Sequence, residues 1–128
     1  DEEILYGENQ TTDFPKEIQT VYEPSMVLDG YEVSERISLE KILQIYYVNN
    51  EYMEYFFEQR TMDFMSGYNT ENISYESVEI NQYQGVIYIH NNQIHIQWQQ
   101  DGYVFEVIGK QDIDMLKMLA ASVKPMED

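Results

Sequence analysis

The chain has 128 residues and a mass of 15.3 kDa, a length that suits a single domain. Its 24 acidic and seven basic side chains give a formal net charge of −17 at pH 7, which excludes the basic face that binding to nucleic-acid phosphates requires. The absence of cysteine excludes a disulfide scaffold, a thiol nucleophile and cysteine-bound zinc. With 43% hydrophobic residues, the chain is a folded acidic domain rather than a disordered tail.

The two ends of the chain differ in composition from its centre. Residues 1–17 are predicted to form a flexible acidic N-terminal segment, because acids, Gly7 and other polar residues precede Pro15 with few apolar positions. Residues 18–125 then form one domain, followed by a short tail at 126–128. The chain opens on three acidic residues without a Met or a basic leader, so we expect it to be part of a longer precursor. It has no run of about 18 apolar residues, so direct membrane insertion is not expected.

The first half of the domain is predicted to be built from strands. After a turn at Asp29-Gly30, residues 31–37 alternate between two sides, which is typical of a strand near a sheet edge. Residues 42–57 form the first predicted hairpin, with a three-residue loop at 49–51 that places apolar side chains from both strands on one face. Residues 73–80 alternate again and indicate a further strand. The apolar face of the hairpin would carry Leu43, Ile45, Tyr47, Met53, Tyr55 and Phe57.

Residues 85–109 carry the clearest strand pattern. Asn91-Asn92 and Asp101-Gly102 both suit two-residue type I′ turns, and such turns would give three strands that pair in succession. Counting outward from the turns gives one apolar face and one mostly wet face. The apolar face would carry Ile87, Ile89, Ile94, Ile96, Trp98, Phe105 and Val107, and the wet face would include Tyr88, His90, His95, Gln97 and Glu106.

Residues 112–123 are predicted to form a helix that Pro125 ends. Leu116 and its apolar neighbours recur with the helical period, so this helix needs an apolar partner, and the Trp98 face of the meander is the obvious one. The predicted fold class is therefore α+β: a mainly antiparallel, twisted sheet of about six or seven strands, arranged as a hairpin meander, with a C-terminal helix packed on one face. The residues predicted to form the structural core are Trp98, Phe105, Ile96, Ile89 and Leu116.

The last third of the chain resembles a known family. The segments that carry the resemblance are Gln84–Ile89, Ile96-Gln97-Trp98, Asp101–Gly109 and Met115 to Val123, preceded upstream by Tyr22-Glu23-Pro24 and by Asp29-Gly30-Tyr31-Glu32, in which Asp29 replaces the usual proline. Together they resemble an uncharacterised domain family of the bacterial cell envelope. Its members occur mainly in Gram-positive bacteria, at the extracellular C-terminal end of membrane-anchored or lipid-anchored proteins, some of which carry an anti-sigma-factor-like cytoplasmic segment. The resemblance implies an envelope-exposed module and supplies no reaction.

The only histidines, His90 and His95, fall on the predicted wet face. Two imidazoles with the Glu106 carboxylate could hold a transition metal, but solvated side chains near a hairpin end explain the same pattern, and we predict neither a metal nor another cofactor. No nucleophile elbow, phosphate loop or zinc-protease motif occurs, so an enzyme is not predicted. The candidate binding surface on this face is Tyr88, His95, Gln97 and Glu106.

These observations favour a non-catalytic extracellular interaction or sensor module of a cell-envelope protein, anchored through a segment outside this chain. Its partner would be a protein, a peptide or a glycan at the envelope, and an acidic surface favours cationic partners. Two alternatives stay open. One is a small secreted metal-dependent protein or hydrolase that uses His90, His95 and Glu106, and the other is a structural spacer domain.

Overall fold

Strands dominate the computed structural model, which describes residues 14–64 and 73–126. In these residues nine strands and one helix follow one another along the chain. They are β1 (Tyr22–Pro24), β2 (Glu32–Ser38), β3 (Ile42–Val48), β4 (Glu54–Thr61), β5 (Glu76–Ile80), β6 (Tyr83–His90), β7 (Gln93–Gln100), β8 (Tyr103–Gly109), α1 (Ile113–Ala121) and β9 (Val123–Pro125).

Seven of these strands form one antiparallel sheet in the order β2-β3-β4-β8-β7-β6-β5. The remaining two, β1 and β9, pair with each other, so that Tyr22 lies opposite Pro125. Helix α1 packs against β7 and β8 on one face of the sheet. The predicted fold class, an antiparallel sheet with a C-terminal helix on one face, is confirmed.

Tight turns set the register of the β6-β7-β8 meander. Asn91, Asn92, Asp101 and Gly102 all have positive φ angles, as type I′ turns require. His90 therefore pairs with Gln93 and Gln100 pairs with Tyr103, which confirms the predicted register. A third turn of this kind joins β5 to β6 at Asn81-Gln82, where both φ angles are again positive.

The β3–β4 hairpin keeps its predicted faces, except that Met53 lies in the loop and is exposed rather than on the apolar face, and the loop is longer. Pairing starts at Val48 opposite Glu54, so the predicted three-residue loop at 49–51 is wrong and the loop spans residues 49–53. The side-chain oxygen of Asn49 accepts hydrogen bonds from the backbone N–H groups of Glu51 and Met53, both at 2.9 Å, and this stabilises the wider loop. A shift of two residues preserves which face each side chain occupies.

The core face of the sheet is the face covered by α1. Trp98, Phe105, Ile96 and Leu116 are all buried there, and the rings of Trp98 and Phe105 stack with their centroids 5.6 Å apart. Helix α1 starts after Asp112, whose carboxylate accepts a hydrogen bond from a backbone N–H in the first turn. It ends two residues before the predicted limit, because the chain then turns into β9 and pairs with β1.

Ile89 does not belong to the core, and the prediction that placed it there is wrong. Its side chain is 65% exposed, although it lies on the core face by alternation. Strand β6 is longer than its edge neighbour β5, whose pairing stops where Glu76 faces Ile87. Ile89 therefore lies beyond the end of β5, near the margin of the sheet. Side chains still alternate between the two faces there, but those on the core face are no longer covered.

Gly85 is expected to be intolerant of a side chain. A Cβ atom at this position would collide with the carbonyl oxygen of Gln97 and would lie 2.9 Å from the Cβ of Trp98, both on the paired strand β7. We expect Gly85→Ala to lower the free energy of unfolding by about 1–3 kcal/mol, measured by urea unfolding followed by tryptophan fluorescence. The neighbouring exposed Gln84→Ala should change it by less than about 0.5 kcal/mol, and equal stabilities of the two variants would contradict this close approach.

Candidate functional site

The polar face of the sheet, opposite the core face, contains the predicted binding surface. Its centre is not wet as predicted, because Tyr88, His95 and Glu106 are all buried, with Glu106 at 0% exposure. Gln97 is the one residue of the predicted set that stays partly exposed. The four residues lie on adjacent strands, since Gln97 faces Glu106 and Tyr88 faces His95. The structure thus brings the four predicted residues together, but three of them are buried inside the protein.

The buried side chains belong to a network of charged and hydrogen-bonded groups. Strand β4 pairs with β8 so that Glu58 lies directly opposite Glu106, a juxtaposition of like charges that is destabilising unless it is compensated. Arg60, two residues after Glu58 and on the same face, pairs with both carboxylates. Its guanidinium pairs with the Glu58 carboxylate, and its Nη1 lies 3.1 Å from Oε1 of Glu106. The network carries two carboxylates and one guanidinium, all buried.

The second oxygen of Glu106 is used by the neighbouring strands. The Tyr88 hydroxyl donates to Oε2 at 2.9 Å, and Nδ1 of His95 lies 2.6 Å from the same oxygen. Because a carboxylate only accepts, the Nδ1 atom carries the hydrogen of this bond. The Tyr88 and His95 rings also stack at 4.6 Å. Both oxygens of Glu106 are therefore occupied by partners within the protein.

The network continues across the sheet to β3. The Gln44 amide donates to Oε1 of Glu58 at 2.9 Å, and the Tyr46 hydroxyl donates to the Gln44 amide oxygen at 3.2 Å. Burial alone would lower the pKa of Arg60, but the adjacent Glu58 and Glu106 carboxylates raise it further than burial lowers it. The guanidinium therefore stays charged. The network forms a buried polar cluster on the polar face of the sheet.

Sequence reasoning did not single out Glu58 and Arg60 as parts of a site. A signal was present, because Glu58 and Arg60 are two residues apart in a strand and must share a face. That this face would meet Glu106 depends on the pairing of β4 with β8, which are far apart in the chain. Arg36, by contrast, is an exposed residue that pairs with Glu23 at 2.8 Å.

The predicted metal candidates lie near each other. The ring centroids of His90 and His95 are 6.0 Å apart. Glu106, the proposed third ligand, instead forms hydrogen bonds with Arg60, Tyr88 and His95. Among residues 14–64 and 73–126, no group of three or more histidine or carboxylate side chains is arranged to hold a metal ion.

Next to the network the polar face opens into a cleft of about 620 Å³, which we call the amide cleft. Its floor is formed by β6, β7 and β8, and its polar lining consists mainly of Gln84, Gln97 and Gln99. Gln84 and Gln99 directly adjoin the paired residues Gly85 and Trp98 on β6 and β7. The lining residues are Arg60, Met62, Phe64, Gln84, Gly85, Val86, Gln97, Trp98, Gln99 and Val104.

The segment after β4 forms one wall of the amide cleft. It is fixed by Asp63, whose carboxylate accepts hydrogen bonds from the Lys41 ammonium and the Thr61 hydroxyl, both at 2.7 Å. The backbone N–H of Phe64 donates to the carbonyl oxygen of Thr61 and closes a turn. These contacts place Met62 and Phe64 beside the polar floor.

The Asp63 contacts predict a measurable pKa. The hydrogen bonds from Lys41 and then Thr61 lower the pKa of Asp63 to about 2. A carboxyl group whose pKa is lower in the folded state stabilises the fold above its ordinary pKa, and this contribution is lost as the pH falls through about 2. We expect Lys41→Met to raise the Asp63 pKa towards its ordinary value in a carboxyl carbon NMR titration, whereas Lys110→Met, at an exposed position, should leave it unchanged. An ordinary Asp63 pKa in the wild-type protein would contradict the contact.

Comparison with known proteins identifies the domain but assigns it no activity. No curated protein and no solved structure matches the chain. No helix in the described part of the chain is long and apolar enough to cross a membrane. The family model DUF4367, a domain of unknown function, matches residues 21–123, which include every strand that forms the amide cleft and the buried network. The chain therefore belongs to the DUF4367 family of domains of unknown function.

Proposed function

We propose that this domain is a non-catalytic extracellular interaction module of a bacterial cell-envelope protein, and that it binds its ligand in the amide cleft. The observation that carries this proposal is that the side-chain amides of the cleft are not used in hydrogen bonds with other described residues. The side chains of Gln84, Gln97 and Gln99 form no hydrogen bond with another described residue. Polar groups that line a concave surface and are not used inside the protein are free to bind a ligand.

Other glutamines of the sheet provide the contrast. The Gln44 amide binds Glu58, the Gln59 amide binds the backbone of Thr20, and the Gln100 side chain accepts from Trp98. The side chains of Gln44, Gln59 and Gln100 are thus used to stabilise the fold. The three in the cleft instead face the open space beside the network.

The proposed role separates a rigid part of the polar face from a binding part. Arg60 belongs to both, because it pairs with Glu58 and Glu106 and also lines the cleft. A buried, hydrogen-bonded network beside a binding surface fixes the strands whose side chains contact the ligand. The location at the envelope is supported by the resemblance of the segments at 84–109 to an extracellular family.

The proposal is tested by NMR with the ¹⁵N-labelled protein and cell-wall glycopeptide fragments, prepared from a Gram-positive wall with a muramidase. We expect the side-chain amide signals of Gln84, Gln97 and Gln99 to shift, and the masses of the fragments to stay unchanged after incubation. Fragments that leave the cleft signals unmoved would overturn binding of the cell wall at this site. Fragments that are cleaved would overturn the non-catalytic role.

A further inference from the structure

The charge of the amide cleft restricts what can bind there. Arg60 is the one charged residue among the described residues that line it, and its guanidinium is already paired with Glu58 and Glu106. A ligand that brings a charged group into the cleft would lose hydration and find no counter-charge to replace it. The lining therefore favours an uncharged ligand, although the surface as a whole is strongly acidic.

The hydrogen-bonding groups of the cleft fit hydroxyl groups. Each of Gln84, Gln97 and Gln99 offers an amide with both donors and an acceptor, and a hydroxyl group both donates and accepts. Between and beside the amides lie the apolar side chains of Val86 and Val104. Apolar surface of this kind can contact the C–H groups of a sugar ring while the amides bind its hydroxyl groups.

The position of the cleft disfavours a peptide. Extended peptides gain much of their affinity by adding a strand to a free sheet edge. The floor strands β6, β7 and β8 are each paired on both sides, so their backbone groups are used within the sheet. A ligand on this floor meets side chains rather than backbone groups, which suits a chain of hydroxyl-bearing rings.

We infer that the amide cleft binds a short uncharged oligosaccharide, with its hydroxyl groups held by Gln84, Gln97 and Gln99. The volume of about 620 Å³ lies within the range of about 300–1,000 Å³ that is usual for small-ligand sites. This inference rests on the proposed function for the location of the site and adds the chemical class of the ligand.

The test compares neutral and charged sugars of equal length. The ¹⁵N-labelled protein is titrated at pH 6 and about 0.15 M salt with maltotriose, cellotriose and triacetylchitotriose, and then with the cationic glucosamine trimer and the anionic galacturonic acid trimer. We expect at least one neutral trimer to shift the amide signals of the cleft at a concentration at least tenfold below that of either charged trimer. A charged trimer that binds the cleft as well as the neutral ones would overturn the inference.

Matched variants locate the binding. The double variant Gln97→Ala/Gln99→Ala removes two amides that face solvent and should weaken neutral-trimer binding by about tenfold or more. Gln93→Ala, on the same strand but outside the cleft, should bind as the wild type does. Equal binding by both variants would overturn the assignment. If wall fragments shift the cleft signals but no neutral trimer does, the ligand class is wrong and the proposed function stands; if neither shifts them, both are wrong.

Discussion

Replacing Trp98 with alanine is expected to lower the free energy of unfolding by about 3–5 kcal/mol. The indole is 1% exposed and lies in the centre of the core face. It stacks on Phe105 and donates its N–H to the side-chain oxygen of Gln100 at 3.0 Å. The substitution therefore leaves a large cavity and also removes a hydrogen bond from a partly buried amide, and the sheet and helix can close this space only in part.

Far-UV circular dichroism during urea unfolding is the suitable measurement, because the variant lacks the only tryptophan of the chain. Gln97→Ala is the matched control, since Gln97 is the preceding residue and its side chain lies on the opposite face. It should change the free energy of unfolding by less than about 0.5 kcal/mol. A loss for Gln97→Ala that equals the loss for Trp98→Ala would contradict the assignment of the two faces.

Local pattern was sufficient to predict the meander and its core side. Asn91-Asn92 and Asp101-Gly102 fix the turns, and the turns fix which residues oppose one another. Because side chains alternate strictly along a strand, two correct turns assign the burial side of Trp98 and Phe105 without any long-range information. The same reasoning succeeded for the faces of the β3–β4 hairpin, although a side-chain contact of Asn49 widened its loop.

Alternation does not predict how much of each face is covered. By alternation along β6, Ile89 lies on the core face. However, β6 continues past the end of its neighbour β5, and the Ile89 side chain is exposed there. Glu106 shows the opposite case, because its position in the alternation and its charge both predicted a side chain exposed to solvent. Its buried charge is compensated by Arg60 of β4, which lies 46 residues away in the chain and on the same side of the sheet. A partner from so distant a strand carries no local sequence signal.

The residues predicted to bind lie on the same face as the amide cleft, but most of them are buried. The polar face around Gln97 is where the cleft lies, yet Tyr88, His95 and Glu106 serve the interior of the protein rather than its surface. Gln84 and Gln99 were not singled out, because exposed glutamines are common on strands that face solvent. Their significance depends on Gln44 and other glutamines being bonded within the fold, which only the structure reveals.

Replacing Arg60 with methionine is expected to lower the free energy of unfolding by about 3–5 kcal/mol. Methionine keeps most of the buried volume, so the main loss is the charge. The variant leaves the carboxylates of Glu58 and Glu106 opposite each other inside the sheet without a guanidinium between them. Removing one member of a buried ionic network costs much more than removing a surface charge, because the remaining charges stay desolvated. Urea unfolding followed by Trp98 fluorescence measures the change.

Two further variants distinguish an unpaired buried charge from a general loss of an arginine. Arg36→Met breaks the ion pair with Glu23, which is partly exposed, and should cost less than about 1 kcal/mol. Adding Glu58→Gln to Arg60→Met removes one of the two unpaired carboxylates and should restore part of the lost stability, by about 0.5–3 kcal/mol. If Arg60→Met were no more destabilising than Arg36→Met, the network would not contribute to the stability of the sheet, and the strands beneath the amide cleft would be held by the core face alone.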